Sequence, residues 1–371
     1  MYKLKDFAQD ISVAIKDAQT SPFDRFVGLE HYDSGEPVIT RYTDKSLLSS
    51  SVKEFRKNDI LIARRNVYLK RAGIAFFDGL TSGDSIVLRV FEDCENRTGI
   101  PKQDAIRIIP FILNSNAFWA YANKHADGMN SKRISKEMLY NYEFDLPPLA
   151  EQKVLADKLW AAYRLKESYK KLLAATEEMV KSQFIEMFGN QDVNDRSWNE
   201  SIVKDEFTLT MGKTPARNNP AFWQSGTNKW ISISDMARYG RYTEDTQESI
   251  TDIAVAESGI KIVPKGTIIM SFKLSIGRTA VTSEDIYTNE AIMAFRDVDE
   301  TKFNMTFLQF LIANKNWLLN AKQAVKGQTL NKESIGNARI IVPPIGLQEQ
   351  FAAIYNQADK SGSVRQYLIA C

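Results

Sequence analysis

Two stretches of this sequence repeat one pattern, although a long run of different sequence lies between them. Asp145–Leu159 reads DLPPLAEQKVLADKL, and Ile341–Gln357 reads IVPPIGLQEQFAAIYNQ. Each contains a hydrophobic strand end, a Pro-Pro pair and the opening of a helix. Internal self-similarity of this kind predicts a duplicated architecture.

Further segments match each other in the same chain order. The matches pair FVGLEHY from Phe26 with WISISDM from Trp230, KRAGIAFF around Gly73 with LSIGRTAV around Gly277, DSIVLRV from Asp84 with EAIMAFR from Glu290, and SKE from Ser135 with NKE from Asn331. Alternating and β-branched runs predict strands in both copies. We therefore expect an α+β fold with two pseudo-repeated domains, each of mixed α/β structure.

A long helix is predicted after the first Pro-Pro pair. Residues 151–188 contain no Gly or Pro and are rich in Ala, Leu, Lys and Glu, so they could form a continuous helix about 57 Å long. Gly189 is a suitable C-terminal cap. A seven-residue spacing of apolar residues predicts a seam for a partner helix, comprising Leu165, Tyr169, Leu172, Leu173, Thr176, Met179, Val180 and Phe184.

The helix after the second Pro-Pro pair is expected to be much shorter. Its pattern runs from Glu349 to Lys360, and the chain then reads SGSVRQYLIAC, with Gly362 interrupting the helical pattern. The predicted domains are 1–148 for the first mixed α/β domain, 149–190 for the long helix, 191–344 for the second domain, and 345–371 for the shortened second helix and tail.

The composition excludes several classes of protein. At 371 residues, with 44% hydrophobic and 25% charged residues, the chain is typical of a globular protein with two domains. Two cysteines and two histidines provide neither a disulfide framework nor a metal-ligand cluster. No apolar run has the length of a membrane span or the form of a secretory signal, so we expect a cytoplasmic protein.

The charge distribution is more informative than the net charge of +2. Residues 211–230 and 59–75 are strongly basic, whereas residues 244–257 carry five acidic residues and no basic one. Local basic segments of this kind suit a polyanionic partner.

These motifs resemble those of the specificity subunits of type I restriction-modification systems. The resemblance covers practically the whole chain. It rests on PPLAEQ at 147–152 with the long helix behind it, PPIGLQEQ at 343–350, GKTPARNNPAFW followed by KWISISDM within 212–236, and KGQTLNKESIGNARIIVPP at 326–344.

The resemblance implies two target-recognition domains, each reading one half of a split double-stranded DNA target. Two long helices would pair as an antiparallel coiled coil, separate the domains and dock two methyltransferase subunits. The chain would be a non-catalytic prokaryotic subunit without a cofactor of its own. S-adenosylmethionine and ATP with Mg would belong to methyltransferase and restriction partners. Because the second helix is expected to be short, self-association could complete the helix pair.

Candidate DNA-binding residues are polar or basic and lie in loops or near strand ends. Lys and Arg suit phosphates, and Arg, Lys, Asn and Gln also suit base edges; solvated surface is the alternative reading. In the second domain these residues are Lys213, Thr214, Arg217, Asn218, Lys273, Arg278, Lys326, Gln328 and Thr329. In the first domain they are Arg64, Arg65, Lys70, Arg71, Asn130, Lys132 and Arg133.

Two other functions remain open from the sequence. The chain could be the specificity part of a fused restriction and methylation enzyme, or a helical scaffold that does not read DNA. The first alternative is less expected, because the sequence offers no catalytic segment ahead of the first domain. Without a GxxxxGK[ST] nucleotide-binding loop, ATP-driven translocation is not expected of this chain either. Salt-dependent binding to DNA duplexes would distinguish the second.

Overall fold

The computed structural model describes residues 1–48, 51–128, 131–273, 275–319, 323–324, 327–328 and 330–362. The predicted tail beyond Gly362 lies outside these residues. The chain divides into two compact units, Met1–Glu167 (unit 1) and Ser168–Cys371 (unit 2).

Unit 1 combines two five-stranded sheets with a set of short helices. Its strands are β1 (Tyr2–Lys3), β2 (Ala8–Asp10), β3 (Ala14–Ile15), β4 (Arg25–Val27), β5 (Val38–Ile39), β6 (Thr43–Asp44), β7 (Val52–Phe55), β8 (Ile60–Ala63), β9 (Ala72–Ala75), β10 (Gly79–Ser82), β11 (Ser85–Val90) and β12 (Glu143–Phe144). Its helices are α1 (Leu4–Phe7), α2 (Cys94–Thr98), α3 (Lys102–Ile112), α4 (Asn116–Lys124), α5 (Lys136–Tyr140) and the start of α6 (Leu149–Phe188). Short 3-10 helices occur at Ala18–Thr20, Leu29–His31, Lys45–Leu47 and Val67–Leu69.

Unit 2 contains the end of α6 and a second set of sheets. Its strands are β13 (Glu200–Ile202), β14 (Thr208–Met211), β15 (Asn228–Ile231), β16 (Glu248–Ile250), β17 (Ile268–Ser271), β18 (Thr279–Val281), β19 (Tyr287–Thr288), β20 (Ile292–Arg296), β21 (Gln323–Ala324), β22 (Gly327–Gln328) and β23 (Arg339–Ile341). Its helices are α7 (Val203–Glu206), α8 (Ile233–Met236), α9 (Asp252–Ser258), α10 (Met305–Asn314), α11 (Lys332–Gly336) and α12 (Ile345–Gly362), with a 3-10 helix at Pro220–Phe222.

The two units repeat one topology, as the sequence predicts. The order β2-β11-β8-β9 in unit 1 corresponds to β14-β20-β17-β18 in unit 2, and both sets are antiparallel. The parallel pair β4 and β10 corresponds to β15 and β19. The antiparallel pair β1 and β12 corresponds to β13 and β23. The mixed α/β, duplicated fold is therefore confirmed.

The Pro-Pro motif has the same internal hydrogen bond in both units. The Gln152 side chain donates from Nε2 to the carbonyl oxygen of Pro147 at 2.7 Å. The Gln348 side chain donates to the carbonyl oxygen of Pro343 at the same distance. Both glutamines are buried. Each one closes the turn that connects the domain to its following helix, which explains why this residue recurs in the two sequences.

Two predicted matches between the units are wrong in register. The match of DSIVLRV with EAIMAFR is off by one residue, because Leu88 lies opposite Ile60 and Phe295 lies opposite Ile268. The match of Gly73 with Gly277 is off by more. The amide of Ala63 donates to Arg71 O at 3.0 Å, and the amide of Ser271 donates to Arg278 O at 2.9 Å. These equivalent hydrogen bonds pair Arg71 with Arg278, whereas the sequence comparison paired Gly73 with Gly277. Gly73 lies within β9, where its counterpart in β18 is Ala280, whereas Gly277 lies in the loop before β18. A match on glycine alone therefore shifts the alignment.

Helix α6 contributes side chains to the core of each unit. In unit 1, Trp160 is buried and donates from Nε1 to the carbonyl oxygen of Arg107 at 3.0 Å. In unit 2, Phe184 and Phe188 pack against Phe351 of α12, with ring centroids 5.3 and 5.8 Å away. Burying an aromatic side chain stabilises a fold by about 1.5–3 kcal/mol. The helix is therefore an integral part of both cores.

The predicted seam on α6 does not form one buried surface among the described residues. Val180 and Phe184 are each 3% exposed, whereas Leu165, Leu172 and Met179 are more than half exposed. Tyr169, Leu173 and Thr176 have intermediate exposure. At about 3.6 residues per turn, position 184 lies about 100° around the helix from position 165 and about 120° from position 172. The seven-residue pattern thus combined a core-facing side with an exposed side. The helix ends as predicted at Gly189, whose φ is +73°.

Candidate nucleic-acid interface

The described part of the chain has neither a membrane-spanning helix nor a metal-binding cluster. No helix in it combines the length and apolarity needed to cross a bilayer. Its His, Cys, Asp and Glu residues do not form groups of three or more that could hold a metal ion. The candidate site consists of the basic and amide residues that the sequence predicted.

In unit 2, the loop after β14 is held in place by a close backbone approach. The amide of Lys213 donates to the carbonyl oxygen of Thr288 at 2.8 Å. A Cβ atom on Gly212 would lie 2.0 Å from that same oxygen. Only glycine permits this approach, so the position of the basic loop depends on Gly212.

Two tryptophans fix the rest of this loop. Trp230 donates from Nε1 to the carbonyl oxygen of Lys213 at 3.0 Å, and Trp223 donates from Nε1 to that of Ala216 at 3.1 Å. The Trp230 side chain is almost fully buried. A buried indole needs an acceptor for its N–H, and here the loop backbone provides it. The loop from Lys213 to Arg217 is consequently well ordered by its own contacts.

Arg217 is clamped between a carboxylate and aromatic rings. Its Nη1 and Nη2 atoms donate to the two carboxylate oxygens of Glu248, at 2.5 and 3.0 Å. Its guanidinium carbon lies 3.9 Å from the Trp223 ring centroid and 4.8 Å from that of Trp230. Glu248 lies opposite Trp230 in the β15–β16 pair. Half of the Arg217 side chain nevertheless remains exposed.

Glu290 connects this loop to the β17–β18 hairpin. The Thr214 hydroxyl donates to the Glu290 carboxylate. Burial raises the pKa of Glu290, but the Thr214 hydrogen bond and the positive charges of Lys273 and Arg217 outweigh it, so the pKa lies below its ordinary value. The predicted residues Thr214, Arg217 and Lys273 therefore form one cluster around Glu290.

The other predicted residues of unit 2 are not part of the cluster around Glu290. Lys213 is exposed, and its ammonium group donates to the carbonyl oxygen of Ser258. Asn218 is also exposed. Arg278 is exposed and donates from Nη1 to the carbonyl oxygen of Ala237 at 3.1 Å. Lys326 and Thr329 lie outside the described residues, and Gln328 is described only as a backbone position in β22.

In unit 1, the equivalent hairpin between β8 and β9 carries Arg64, Arg65, Lys70 and Arg71. Arg65 donates from Nη1 to Asp84 Oδ2 at 3.0 Å. Arg71 donates to the carbonyl oxygens of Leu29 and Arg65, at 2.9 and 3.0 Å. Both Nη groups of Arg71 thus stabilise the loop itself, and its Nε atom is buried without a partner among the described residues. Contact between Arg71 and DNA stays a prediction. Lys70 has a left-handed backbone conformation, with φ 50°.

A second predicted segment, residues 131–133, packs against this hairpin. The amide of Asn66 donates to the carbonyl oxygen of Lys132 at 2.7 Å. Arg133 Nη2 lies 4.0 Å from Asp84 Oδ1. Arg64 and Arg133 line a cleft of about 500 Å³. Asn130 lies outside the described residues. The structure therefore brings together two basic segments that are more than fifty residues apart in the sequence.

The sequence prediction missed the carboxylates that hold these cations. Asp84, Glu248 and Glu290 organise the predicted basic residues in the two units. The acidic stretch 244–257, which includes Glu248, was a usable signal because it complements the basic stretch 211–230. Sequence spacing alone could not pair Arg217 with Glu248.

The fold and this site define a class of protein: two copies of a mixed α/β domain, each with a basic hairpin, that share one long helix. Residues 195–364 match the family described as the type I restriction modification DNA specificity domain. The resemblance that the motifs indicated is therefore confirmed for this part of the chain.

Two curated relatives have matching stretches. The chain is 26% identical over 188 residues to the type I restriction enzyme MjaIX specificity subunit of Methanocaldococcus jannaschii, covering 49% of this chain and 43% of that protein. It is 24% identical over 155 residues to the type I restriction enzyme EcoR124I/EcoR124II specificity subunit of Escherichia coli, covering 40% of this chain and 37% of that protein. The matches thus span less than half of these relatives.

Solved structures share the fold over the whole chain. The crystal structure of a type I restriction-modification system S subunit from M. genitalium superposes with a TM-score of 0.55 at 12% identity, covering 100% of this chain and 91% of that one. A chain from a structural study of complex assembly and conformational transition of the type I R-M system gives a TM-score of 0.50 at 15% identity, covering 100% and 95%. At these identities the likeness concerns the fold.

Proposed function

We propose that this chain is the DNA-binding specificity subunit of a type I restriction-modification complex. Each unit reads one half of a bipartite double-stranded target. The chain itself is non-catalytic and needs no cofactor. Two methyltransferase subunits, which bind S-adenosylmethionine, and restriction subunits, which use ATP and Mg, supply the chemistry.

One observation carries the proposal: equivalent hairpins in the two units present basic residues. The β8–β9 hairpin carries Arg64, Arg65 and Lys70, and the β17–β18 hairpin carries Lys273 and Arg278. Two copies of one reader match two half-sites on a duplex, where equivalent groove positions recur every 10–10.5 bp. The family match of residues 195–364 supports the same function for unit 2.

Helix α6 would act as the spacer and as a docking element. It is continuous over 40 residues and contributes to the core of each unit. Leu172 and Met179 in unit 2, and Leu165 in unit 1, are exposed on it. Exposed large apolar side chains of this kind suit a protein partner. We assign this side of α6 to the methyltransferase subunits.

The domain limits 1–148, 149–190, 191–344 and 345–371 are part of this proposal. They place each reader before its Pro-Pro motif and each helix after it. In unit 2, α12 packs against the end of α6 through Phe351, which supports pairing of the two helices.

The test is methylome sequencing of cells that express this chain with its methyltransferase partner. We expect methylation at a bipartite motif with a fixed spacer, and loss of this methylation when the chain is deleted. Methylation at an undivided motif, or methylation independent of the chain, would refute the proposal. The mass of the purified complex distinguishes methyltransferase docking from self-association of this chain.

Salt dependence separates the DNA-binding function from a protein scaffold. A reader that contacts phosphates releases counterions, so its affinity falls steeply with salt. A logarithmic slope near zero would favour the scaffold.

A further inference from the structure

We propose that Arg217 reads a guanine in the half-site bound by unit 2 and that Glu248 is its positioning residue. This inference rests on the proposed function. It separates Arg217 from the other basic residues of the interface, which suit phosphate contacts.

The contacts of Arg217 leave one of its hydrogen-bonding edges open. A guanidinium group has five N–H donors in one plane. Stacking on Trp223 uses the face of the group, and Glu248 uses one hydrogen on each Nη atom. The edge formed by Nε–H and the neighbouring Nη–H has no hydrogen-bond partner among the described residues. Two parallel donors on one edge match the O6 and N7 acceptors of guanine.

The surroundings of Arg217 are fixed before DNA binds. The two indole groups that it contacts also donate hydrogen bonds to the loop carbonyl oxygens of Lys213 and Ala216. The chain direction before the loop is fixed by Gly212, where no side chain fits. A fixed donor pair loses little conformational entropy on binding and discriminates by geometry. A phosphate contact does not need this arrangement, since phosphates carry no sequence information.

The local charge favours a neutral ligand over a phosphate. The positive charges of Arg217 and Lys273 face the negative charges of Glu248 and Glu290 in the same cluster. A phosphate placed on Arg217 would meet a cation that is already paired and would be repelled by these carboxylates. A guanine edge carries two acceptors and no net charge. The neutral base is therefore the better ligand for this edge.

Two variants test the inference in the full chain bound to its methyltransferase partner. Arg217→Lys keeps the positive charge but loses the paired donors. Glu248→Gln keeps the size of the side chain but releases the charge of Arg217. Binding is measured to duplexes that carry the methylome-defined target and to a set with single base-pair substitutions. Thermal unfolding reports whether each variant is folded.

We expect Arg217→Lys to reduce the preference for one G·C pair in the unit 2 half-site by about 10- to 100-fold. Preferences at the other positions should remain unchanged. We expect Glu248→Gln to weaken the same preference while steepening the salt slope by about 0.9, because the released guanidinium can then contact a phosphate. Lys213→Ala is the control and should lower affinity for all duplexes without changing any base preference.

Several results would overturn the inference. Arg217→Lys could weaken binding equally to every duplex, which would make Arg217 a phosphate contact. Both folded variants could keep all base preferences, which would mean that Arg217 and Glu248 only stabilise the loop. If Arg217→Lys does not fold, Glu248→Gln alone tests the inference, and an unchanged preference for the G·C pair in that variant would overturn it. A target whose unit 2 half-site has no G·C pair would refute the inference alone, whereas the absence of any target would refute the proposed function with it.

Discussion

The two equivalent glutamines of the repeat should differ strongly in their contribution to stability. Gln348 makes three hydrogen bonds to backbone groups: it accepts from the amide of Asn304 at 2.9 Å and donates to the carbonyl oxygens of Lys302 and Pro343 at 3.0 and 2.7 Å. Gln152 makes only the bond to Pro147, and its Oε1 atom is buried without a partner in the described structure.

This difference has a simple cause in the sequence. Helix α10 is preceded by Asn304, whose N–H serves Gln348. In unit 1, helix α3 contacts the start of α6 through Arg107 and Trp160 and is preceded by Pro101; proline has no N–H to donate. The Pro-Pro motif therefore recurs with a glutamine in both units, although only in unit 2 do both polar atoms of that side chain have hydrogen-bond partners among the described residues.

The magnitudes follow from the hydrogen bonds. Each buried hydrogen bond contributes a net of about 0.5–1.5 kcal/mol, and leaving a buried partner unsatisfied costs about 1–3 kcal/mol. Gln348→Ala leaves three backbone groups without their hydrogen-bond partner and should reduce the free energy of unfolding by roughly 3–5 kcal/mol. Gln152→Ala leaves one backbone group, the carbonyl oxygen of Pro147, without its partner, and it also removes a buried oxygen that has no partner among the described residues. Its cost should be about 0–1 kcal/mol beyond the loss in packing, which both variants share.

Denaturant unfolding of the full chain measures this difference, and hydrogen exchange localises it. Gln348→Ala should accelerate exchange of the Asn304 amide, whereas Gln152→Ala should leave the start of α3 unchanged. The two variants remove the same atoms, so each is the control for the other. Equal losses of unfolding free energy in the two variants would contradict the assigned difference between Gln152 and Gln348.

Three further predictions concern the interface, the spacer and the response to pH. Lys213→Ala should weaken binding to all duplexes and reduce the magnitude of the logarithmic salt slope by about 0.9; a slope equal to that of the unaltered chain would contradict the assignment. Inserting helical residues between Leu165 and Met179 should change the spacer between the half-sites, so a methylome with the original spacer would count against α6 as the spacer. Asp235 is fully buried: burial raises its pKa, but hydrogen bonds from Ser232 and Arg238 outweigh this and hold the pKa below its ordinary value. Its contribution to stability is therefore present above about pH 4 and is lost as the pH falls through the lower folded-state pKa; acid titration of unfolding should show a smaller loss in Asp235→Asn, and identical titrations would contradict this.

Much of the fold could be predicted because it depends on local patterns. The strands around Ile60, Ser85 and Ile268 are β-branched runs, and α6 is a long segment without Gly or Pro. The end of that helix at Gly189 follows from the need for a positive φ. These features require no knowledge of which segments meet in space.

Features that depend on long-range contacts could not be predicted in the same way. The apolar spacing along α6 did not reveal that Phe184 is buried while Leu172 is exposed, because the packing of Phe351 decides this. The match of Gly73 with Gly277 failed because Gly73 lies within a strand and Gly277 lies in a loop, which the strand pairing reveals and the sequence does not. The sequence identified Arg217 as basic, but its clamp by Glu248 requires the β15–β16 pairing.

The central claim is that the two units read their half-sites independently. The most direct measurement is the methylome of cells in which residues 1–145 of this chain are exchanged for those of another reader with a known target. We expect one half of the methylated motif to change while the other half and the spacer stay the same. A change in both halves, or in neither, would contradict it.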